Sequence, residues 1–368
     1  MTRPLGRLSG PALRIGLVAP PLLPVPPPAY GGTERVVHAL AEGLHRLGHD
    51  VTVFASAESD VSCRLVATVP QACWTGGSPD VEASFERVLE AVSRHDGPFD
   101  VINSHLESKG FPLAESSRTP VVSTMHGRLD DRLTRAALLA HPTVPLVAIS
   151  ENQQGLAPWA NWVGLVRHGL DLDRMPFGST AGDYLLFVGR IAREKGIIEA
   201  IEVAGRTRQR LVIAAKVFDT TESDLFETEV GPALRPGHVE YLGEVGPAVR
   251  DPLFAGAAAT LMLGDWPEPF GLVAIESLAS GTPVIALRRG ALPEIIEDGV
   301  DGFLVDDLEG AERAVVLATS LDRRRIRNRA IRRFSTARMV DDYLVVYRRV
   351  LGGRQTPTRR APPQVVTP

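Results

Sequence analysis

The chain has 368 residues, 44% of them apolar and 23% charged, a mixture that suits a folded protein and excludes a disordered one. Its net charge of −4, from 40 basic against 44 acidic residues without a long one-sign run, speaks against nucleic acid as a partner. At this length one hydrophobic core does not suffice, and two domains of roughly 150 to 200 residues are expected.

The opening "MTRPLGRLSGPALRIGLVAPPLL" holds an apolar run too short and too broken by proline to be a secretion signal, and it reads as a first buried strand. No stretch is long and apolar enough to span a membrane, although contact with a membrane surface stays open. Cys63 and Cys73 have no second pair and no histidine set beside them, so free thiols in a reducing cytoplasm are expected, with neither a disulfide framework nor a zinc site.

From residue 13 short runs of Val, Ile and Leu alternate with longer helical patterns, the way parallel sheets covered on both faces are written. The runs at 13–20, 50–56, 100–105, 120–127 and 145–150 are the strands of a first domain. Between the first two, Val36, Leu40, Leu44 and Leu47 recur at helical spacing, with Gly48 at the stop. The alternation restarts at 184–191, 210–217, 239–245, 259–264, 283–287 and 302–305. This predicts an α/β fold of two Rossmann-like, doubly wound parallel-sheet domains facing a central cleft. The first spans 1–173, with a helix at about 335–352 packing back on it, the second 174–334, and 353–368 is a disordered tail. The linker is placed in the Pro, Gly and Ser stretch at 174–182, with Gly178 and Gly182 as hinge points.

In such sheets ligands favour the carboxyl ends of the strands, and four strand-to-helix turns there are unusual. In "YGGTERVV", Gly31 and Gly32 precede Thr33, a candidate N-cap, and leave backbone N–H groups pointed into the cleft. In "GRIAREKG", Arg190 and Lys195 sit before a helix whose start prefers negative charge, a placement that an anion such as a diphosphate would relieve. In "EPFGLVAIE", Glu268 and Glu276 flank the backbone N–H groups of Phe270, Gly271 and Leu272, an arrangement of acceptors and donors suited to a sugar. In "STMHG", His126 ends a strand of the opposite wall, as His105 and His168 do at similar ends. Each turn also has a plain reading: a tight turn, solvated cations, a glutamate favoured by a helix dipole, a satisfied histidine.

Taken together the four stretches, with "VRHGLDLDRM" between the domains, resemble the retaining glycosyltransferases of family 4, of the GT-B fold, over roughly residues 14–350. The resemblance implies transfer of a sugar from a nucleoside diphosphate donor, with uridine the expected base, to an acceptor hydroxyl, with retention and with neither metal nor cofactor. It places Arg190 and Lys195 on the diphosphate, Glu276 on the ribose, and Glu268 with the N–H groups of Phe270, Gly271 and Leu272 on the donor sugar. His126 approaches that sugar from the first domain, and Gly31 and Gly32 line the diphosphate and acceptor side. Departures from the pattern are Gly290-Ala291 where relatives have a glycine pair, and Ala215 before Lys216. "DLD" at 171–173 imitates a metal-binding motif but lies outside a nucleotide turn. A sugar-nucleotide 2-epimerase and a silent sugar-nucleotide binder are the alternatives. The acceptor is assigned to the loops at 57–63, 71–80 and 151–162, where Trp159 and Trp162 are either stacking platforms or core.

Overall fold

The computed structural model describes residues 11–95 and 97–352; the tail expected to be disordered, 353–368, lies outside them. Two wholly parallel sheets carry the chain. The first takes β1 (Arg14–Val18), β2 (Asp50–Ser56), β3 (Arg64–Val69), β4 (Val101–Ser104), β5 (Val121–Thr124), β6 (Leu146–Ala148) and β7 (Trp162–Leu165) in the order β3-β2-β1-β4-β5-β6-β7. The second takes β8 (Tyr184–Arg190), β9 (Arg210–Lys216), β10 (Val239–Tyr241), β11 (Ala259–Met262), β12 (Val284–Leu287) and β13 (Gly302–Val305) in the order β10-β9-β8-β11-β12-β13.

Helices cover both faces, so the inner strands are buried at every position in β4, β5, β6 and β12 and read as unbroken runs. The edge strands β3 and β7, whose residues are largely half-exposed, carry short apolar runs of their own, RLVATV and WVGL, which the sequence reading passed over. In each sheet the strand order reverses at one strand: β1 lies between β2 and β4, and β8 between β9 and β11. Connections leave to opposite faces at that point, and a crevice opens beyond the carboxyl ends. Val18 and Ser104 end there in one sheet, Arg190 and Met262 in the other.

The helix Gly32–Arg46 buries Val36, Val37, Leu40 and Leu44, and it ends before Gly48, whose φ is +86°. Leu47 lies beyond it and is exposed. Thr33 is not its cap: Gly31 holds that position, and no side chain closes the first turn.

The chain crosses between the sheets twice, and the two crossings are hydrogen-bonded to each other. Leu170 N–H donates to Phe334 O (3.0 Å), and Thr336 N–H donates to Leu170 O (3.1 Å). The linker glycines are not hinge points. Neither Gly178 nor Gly182 has a left-handed φ, and a Cβ on them would fall 1.8 Å from Ala255 O and 1.6 Å from Gly256 O. They are flat contacts on the second domain, and Gly178 is also held by Ser280 O and the Arg323 guanidinium.

After the second crossing the helix Thr336–Gly352 returns to the first sheet. Asn103 donates to Tyr347 Oη (2.9 Å) and the Thr124 hydroxyl lies 3.2 Å from Tyr343 Oη, both in the interior. Gly43 lets it approach closely, since a Cβ there would lie 2.5 Å from Val340 Cγ2 and 3.0 Å from Thr336 Cγ2.

β-branched side chains cannot swing aside, so Gly43→Ala should lower stability by about 1–2 kcal/mol despite alanine's better helix propensity. Gly205, helical and with open space around its Cβ position, is the control: Gly205→Ala should raise stability by about 0.5–1 kcal/mol. Denaturant midpoints of the two variants check the pair.

Candidate active site

Between the two crevices lies a cleft of about 550 Å³, lined by Gly31, Gly32, His126, Arg190, Lys195, Glu268, Phe270, Gly271, Leu272 and Glu276 among others. The ten residues singled out in the sequence therefore share one cavity.

Arg190 is the last residue of β8, and Lys195 closes the 3-10 turn Arg193–Lys195. Two glycines press this turn onto the loop after β11. A Cβ on Gly196 would lie 2.2 Å from Gly264 N, and one on Gly264 would lie 2.1 Å from Glu194 O. This contact brings Lys195 Nζ into an ion pair with Glu268. Lys195 also lies 5.1 Å from the Trp266 ring centre, and Arg128 of the first domain 4.6 Å from it. Arg190 pairs with Glu222, whose other oxygen accepts from Phe218 N–H (2.7 Å), and with Glu194 (3.3 Å). Both cations thus already have carboxylate partners in the protein, which the sequence did not reveal.

Gly290, at φ +55°, fixes the other side of Glu268. A Cβ there would lie 2.4 Å from both Glu268 N and O, and Ala291 N–H donates to Glu268 O (2.8 Å). Gly290 alone makes the close approach, and Ala291, at φ −85°, takes a conformation that does not require glycine. Gly271, at φ +109°, caps the helix Leu272–Ala279. Among the described residues the N–H groups of Phe270, Gly271 and Leu272 donate to no protein atom. The Phe270 ring turns inward, 3% exposed and edge-on to His168 with centroids 4.9 Å apart. Only its backbone is available as a donor.

Glu276 is the fifth residue of that helix and is 1% exposed. Its Oε1 takes Arg35 from the first domain and Arg250 from the second, the latter at 2.9 Å. Burial would raise the carboxyl pKa, yet the two guanidinium charges outweigh it and hold the group below its ordinary value. Sequence reading passed over both arginines. Arg250 had a signal: it lies four residues before the buried Phe254 on the inward stripe of the helix Pro247–Gly256.

On the opposite wall His126 stacks on His168 (centroids 5.1 Å apart, planes at 22°), and its Nε2 lies 2.8 Å from His105 Nδ1. Burial lowers the pKa of all three, His126 to about 3, and in His105 and His168 the neighbouring imidazoles add to it. All are neutral at pH 7. His105 Nε2 is buried without a partner, and an orphaned lone pair there costs less than an orphaned N–H. We therefore assign the proton of His105 to Nδ1, donating to His126 Nε2. The proton of His126 then sits on Nδ1. Glu107 holds the backbone of this turn, accepting from His126 and Gly127 N–H (3.1 Å for the latter).

The domain walls touch around the cleft. Ser150 Oγ donates to Pro269 O (2.7 Å), Tyr30 N–H to Glu244 (3.1 Å), and Glu151 and Asn152 N–H to Glu294 (2.9 and 2.7 Å). Of the three loops assigned to the acceptor, only 71–80 reaches the cleft, through Trp74. Trp159 and Trp162 pack instead on the cluster of Leu138 and Leu146. Asp171 lies outside the cleft and pairs with Arg46 at 3.6 Å. Among the described residues no group of three His, Cys, Asp or Glu side chains is placed to hold a metal ion, and no helix is long and apolar enough to cross a membrane. Cys63 and Cys73 are unbridged.

Residues 30–163 match the family model described as Glycosyltransferase Family 4, and residues 177–333 match Glycosyl transferases group 1. The chain is 26% identical to the glycogen synthase of Mycobacterium tuberculosis (strain CDC 1551 / Oshkosh), over 81% of this chain and 84% of that protein. It is 25% identical to the phosphatidyl-myo-inositol mannosyltransferase of the same strain, over 92% of this chain and 98% of that one. Among solved structures, that of AviGT4, a glycosyltransferase involved in avilamycin A biosynthesis, superposes with a TM-score of 0.72 at 26% identity, over 93% of this chain and 98% of that one. With one family model matching each half and relatives aligned along most of its length, the chain belongs to the group 1, family 4 glycosyltransferases and has their GT-B fold.

Proposed function

We propose that this chain transfers a hexose from a nucleoside diphosphate sugar to an acceptor hydroxyl, with retention of the anomeric configuration and without a metal ion or cofactor. The observation that carries the reading is the contact of Lys195 with Glu268 beside three unused backbone N–H groups at a helix start. A diphosphate suits the cations and the helix N-terminus, and a sugar attached to it meets a carboxylate one side chain away.

In this reading Arg190 and Lys195 stabilise the charge that develops on the leaving phosphate. Glu268 and the N–H groups of Phe270, Gly271 and Leu272 hold the sugar, while His126 offers its Nδ1–H from the facing wall. Gly31 and Gly32 give the diphosphate and acceptor side its room. Glu276 keeps Oε2 for the ribose, because both arginines are on Oε1. In this reading Glu268 binds the sugar hydroxyls and Glu107 holds the backbone of the His126 turn, and neither is given the role of covalent nucleophile. An acceptor arriving on the face the diphosphate leaves, with a phosphate oxygen taking its proton, then gives retention. The uridine base comes from the family resemblance, and the hexose is supported by the relatives named as a glycogen synthase and a mannosyltransferase.

The test is release of nucleoside diphosphate from a panel of donors, with the anomer of the product read by NMR and the assay repeated in EDTA. Transfer with an inverted anomer, activity lost to the chelator, or an epimerised donor without transfer would each remove its part of the reading. Lys195→Ala should lower turnover roughly 10²- to 10³-fold, and near-normal turnover in the folded variant would take Lys195 off the phosphate. Glu276→Gln leaves two arginines facing a neutral amide, so its melting temperature should fall, and loss of one charged hydrogen bond should weaken donor binding about 10- to 150-fold. An unchanged calorimetric Kd for the donor's nucleoside diphosphate would rule out the ribose role.

A further inference from the structure

The first-domain wall of the cleft carries an apolar patch on the side that the transfer reading gives to the acceptor. Leu22, Leu23, Tyr30, Trp74, Phe85 and Leu106 line it. Backbone bonds clamp two loops together there: Cys73 N–H donates to Pro21 O and Trp74 N–H to Leu22 O, both at 2.9 Å. Phe85 and Leu106 join the same wall through their shared cluster with Val88. Trp74 and Tyr30 are 42% and 38% exposed, and Trp74 meets Phe218 of the second domain edge-on, with centroids 4.8 Å apart. Large rings left exposed side by side at a cleft mouth mark a surface that awaits apolar contact.

The charges on this side point the same way. Lys109 is paired with Glu82 and Arg35 with Glu276, while Lys216, facing them from the second domain, lies 3.5 Å from Glu244. Glu34 and Glu107 both line the cleft, and burial pushes each carboxyl up to about 7. A phosphorylated or carboxylated acceptor would meet two carboxyl groups, and it could gain a cation only by drawing Lys109 from Glu82 or Lys216 from Glu244, as the diphosphate of the transfer reading draws Lys195 from Glu268. A polyhydroxylated chain lying over Leu22, Leu23, Phe85 and Leu106 would find no side-chain donor or acceptor on those four residues, and unpaired hydroxyls buried there would cost affinity.

We propose, on the basis of the transfer reading above, that the acceptor is an uncharged hydroxyl compound with an apolar ring body, seated among Leu22, Trp74 and Phe85 with its hydroxyl toward His126. The ring body supplies the contact area and the patch of Leu22, Trp74 and Phe85 carries no charge of its own, so selectivity runs against anionic and sugar-like acceptors.

The test uses the full chain with uridine diphosphate filling the donor side, and calorimetry with three probes: 2-naphthol, inositol 1-phosphate and maltotriose. 2-Naphthol should bind at least tenfold more tightly than either of the others. Trp74→Ala should weaken 2-naphthol at least tenfold, Trp74→Phe should restore most of the loss, and Leu22→Arg should shift preference toward inositol 1-phosphate. Tighter binding of inositol 1-phosphate or maltotriose to the unmodified chain, no binding of 2-naphthol, or a Trp74→Ala protein that binds it normally would overturn the proposal. Binding of uridine diphosphate is measured first and separately. If it binds and 2-naphthol does not, the acceptor class alone is wrong; if no nucleoside diphosphate binds, the transfer reading falls and this proposal with it.

Discussion

The carboxylate of Glu276 has almost no water, and it is kept charged by one arginine from each domain. Such a group gives little net stability when complete, since desolvation offsets most of the attraction, but removing a partner typically costs about 3–5 kcal/mol. Its effect is on placement. Arg35 can satisfy Glu276 only when the helix Gly32–Arg46 stands over the start of the helix Leu272–Ala279. That alignment also sets Gly32 against Leu272, where a Cβ on the glycine would lie 3.4 Å from Leu272 Cδ1, and it lets His168 meet the Phe270 ring. One alignment of the two helices thus serves the charge, the glycine contact and the ring contact together.

Around it, precision comes from backbone pressed on backbone. Gly196 against Gly264, and Gly290 against Glu268, leave no room for a side chain, so the loops bearing Lys195 and Glu268 cannot drift apart by a rotamer change. Close-packed loops of this kind hold charged groups at working distance without relying on the flexible ends of lysine and glutamate.

Much of this was legible in the sequence because the inner strands are buried on both faces and their ends carry glycines and charges at strand-to-helix turns. β3 and β7 were passed over although RLVATV and WVGL are apolar runs, since at a half-exposed sheet edge such a short run is not set apart from its flanking loops, and Trp162 was read as the end of one. The ten cleft residues were found from local spacing, but their partners were not. Arg35 and Glu276 lie 241 positions apart and Arg190 and Glu222 lie 32 apart, and no local pattern announces such pairs. Gly178 and Gly182 misled for a related reason: a glycine in a Pro-rich stretch reads as freedom, whereas here each makes room for a carbonyl of another segment.

The return of the helix Thr336–Gly352 to the first sheet has a consequence for how the protein is made. Asn103 and Thr124 bond to each other in the interior, but the Asn103 amide N–H finds its acceptor on Tyr347 and the Thr124 hydroxyl a second partner in Tyr343, and Gly43 and Gly164 are shaped to receive Val340 and Val346. Chains emerge from the ribosome N-terminus first, and domains tend to fold as they appear. Here the earlier domain leaves the ribosome with an apolar groove and two interior polar groups uncovered, and its missing piece is translated only after the entire later domain. The half that begins first therefore finishes last, and until then it presents the kind of unfilled surface that chaperones recognise.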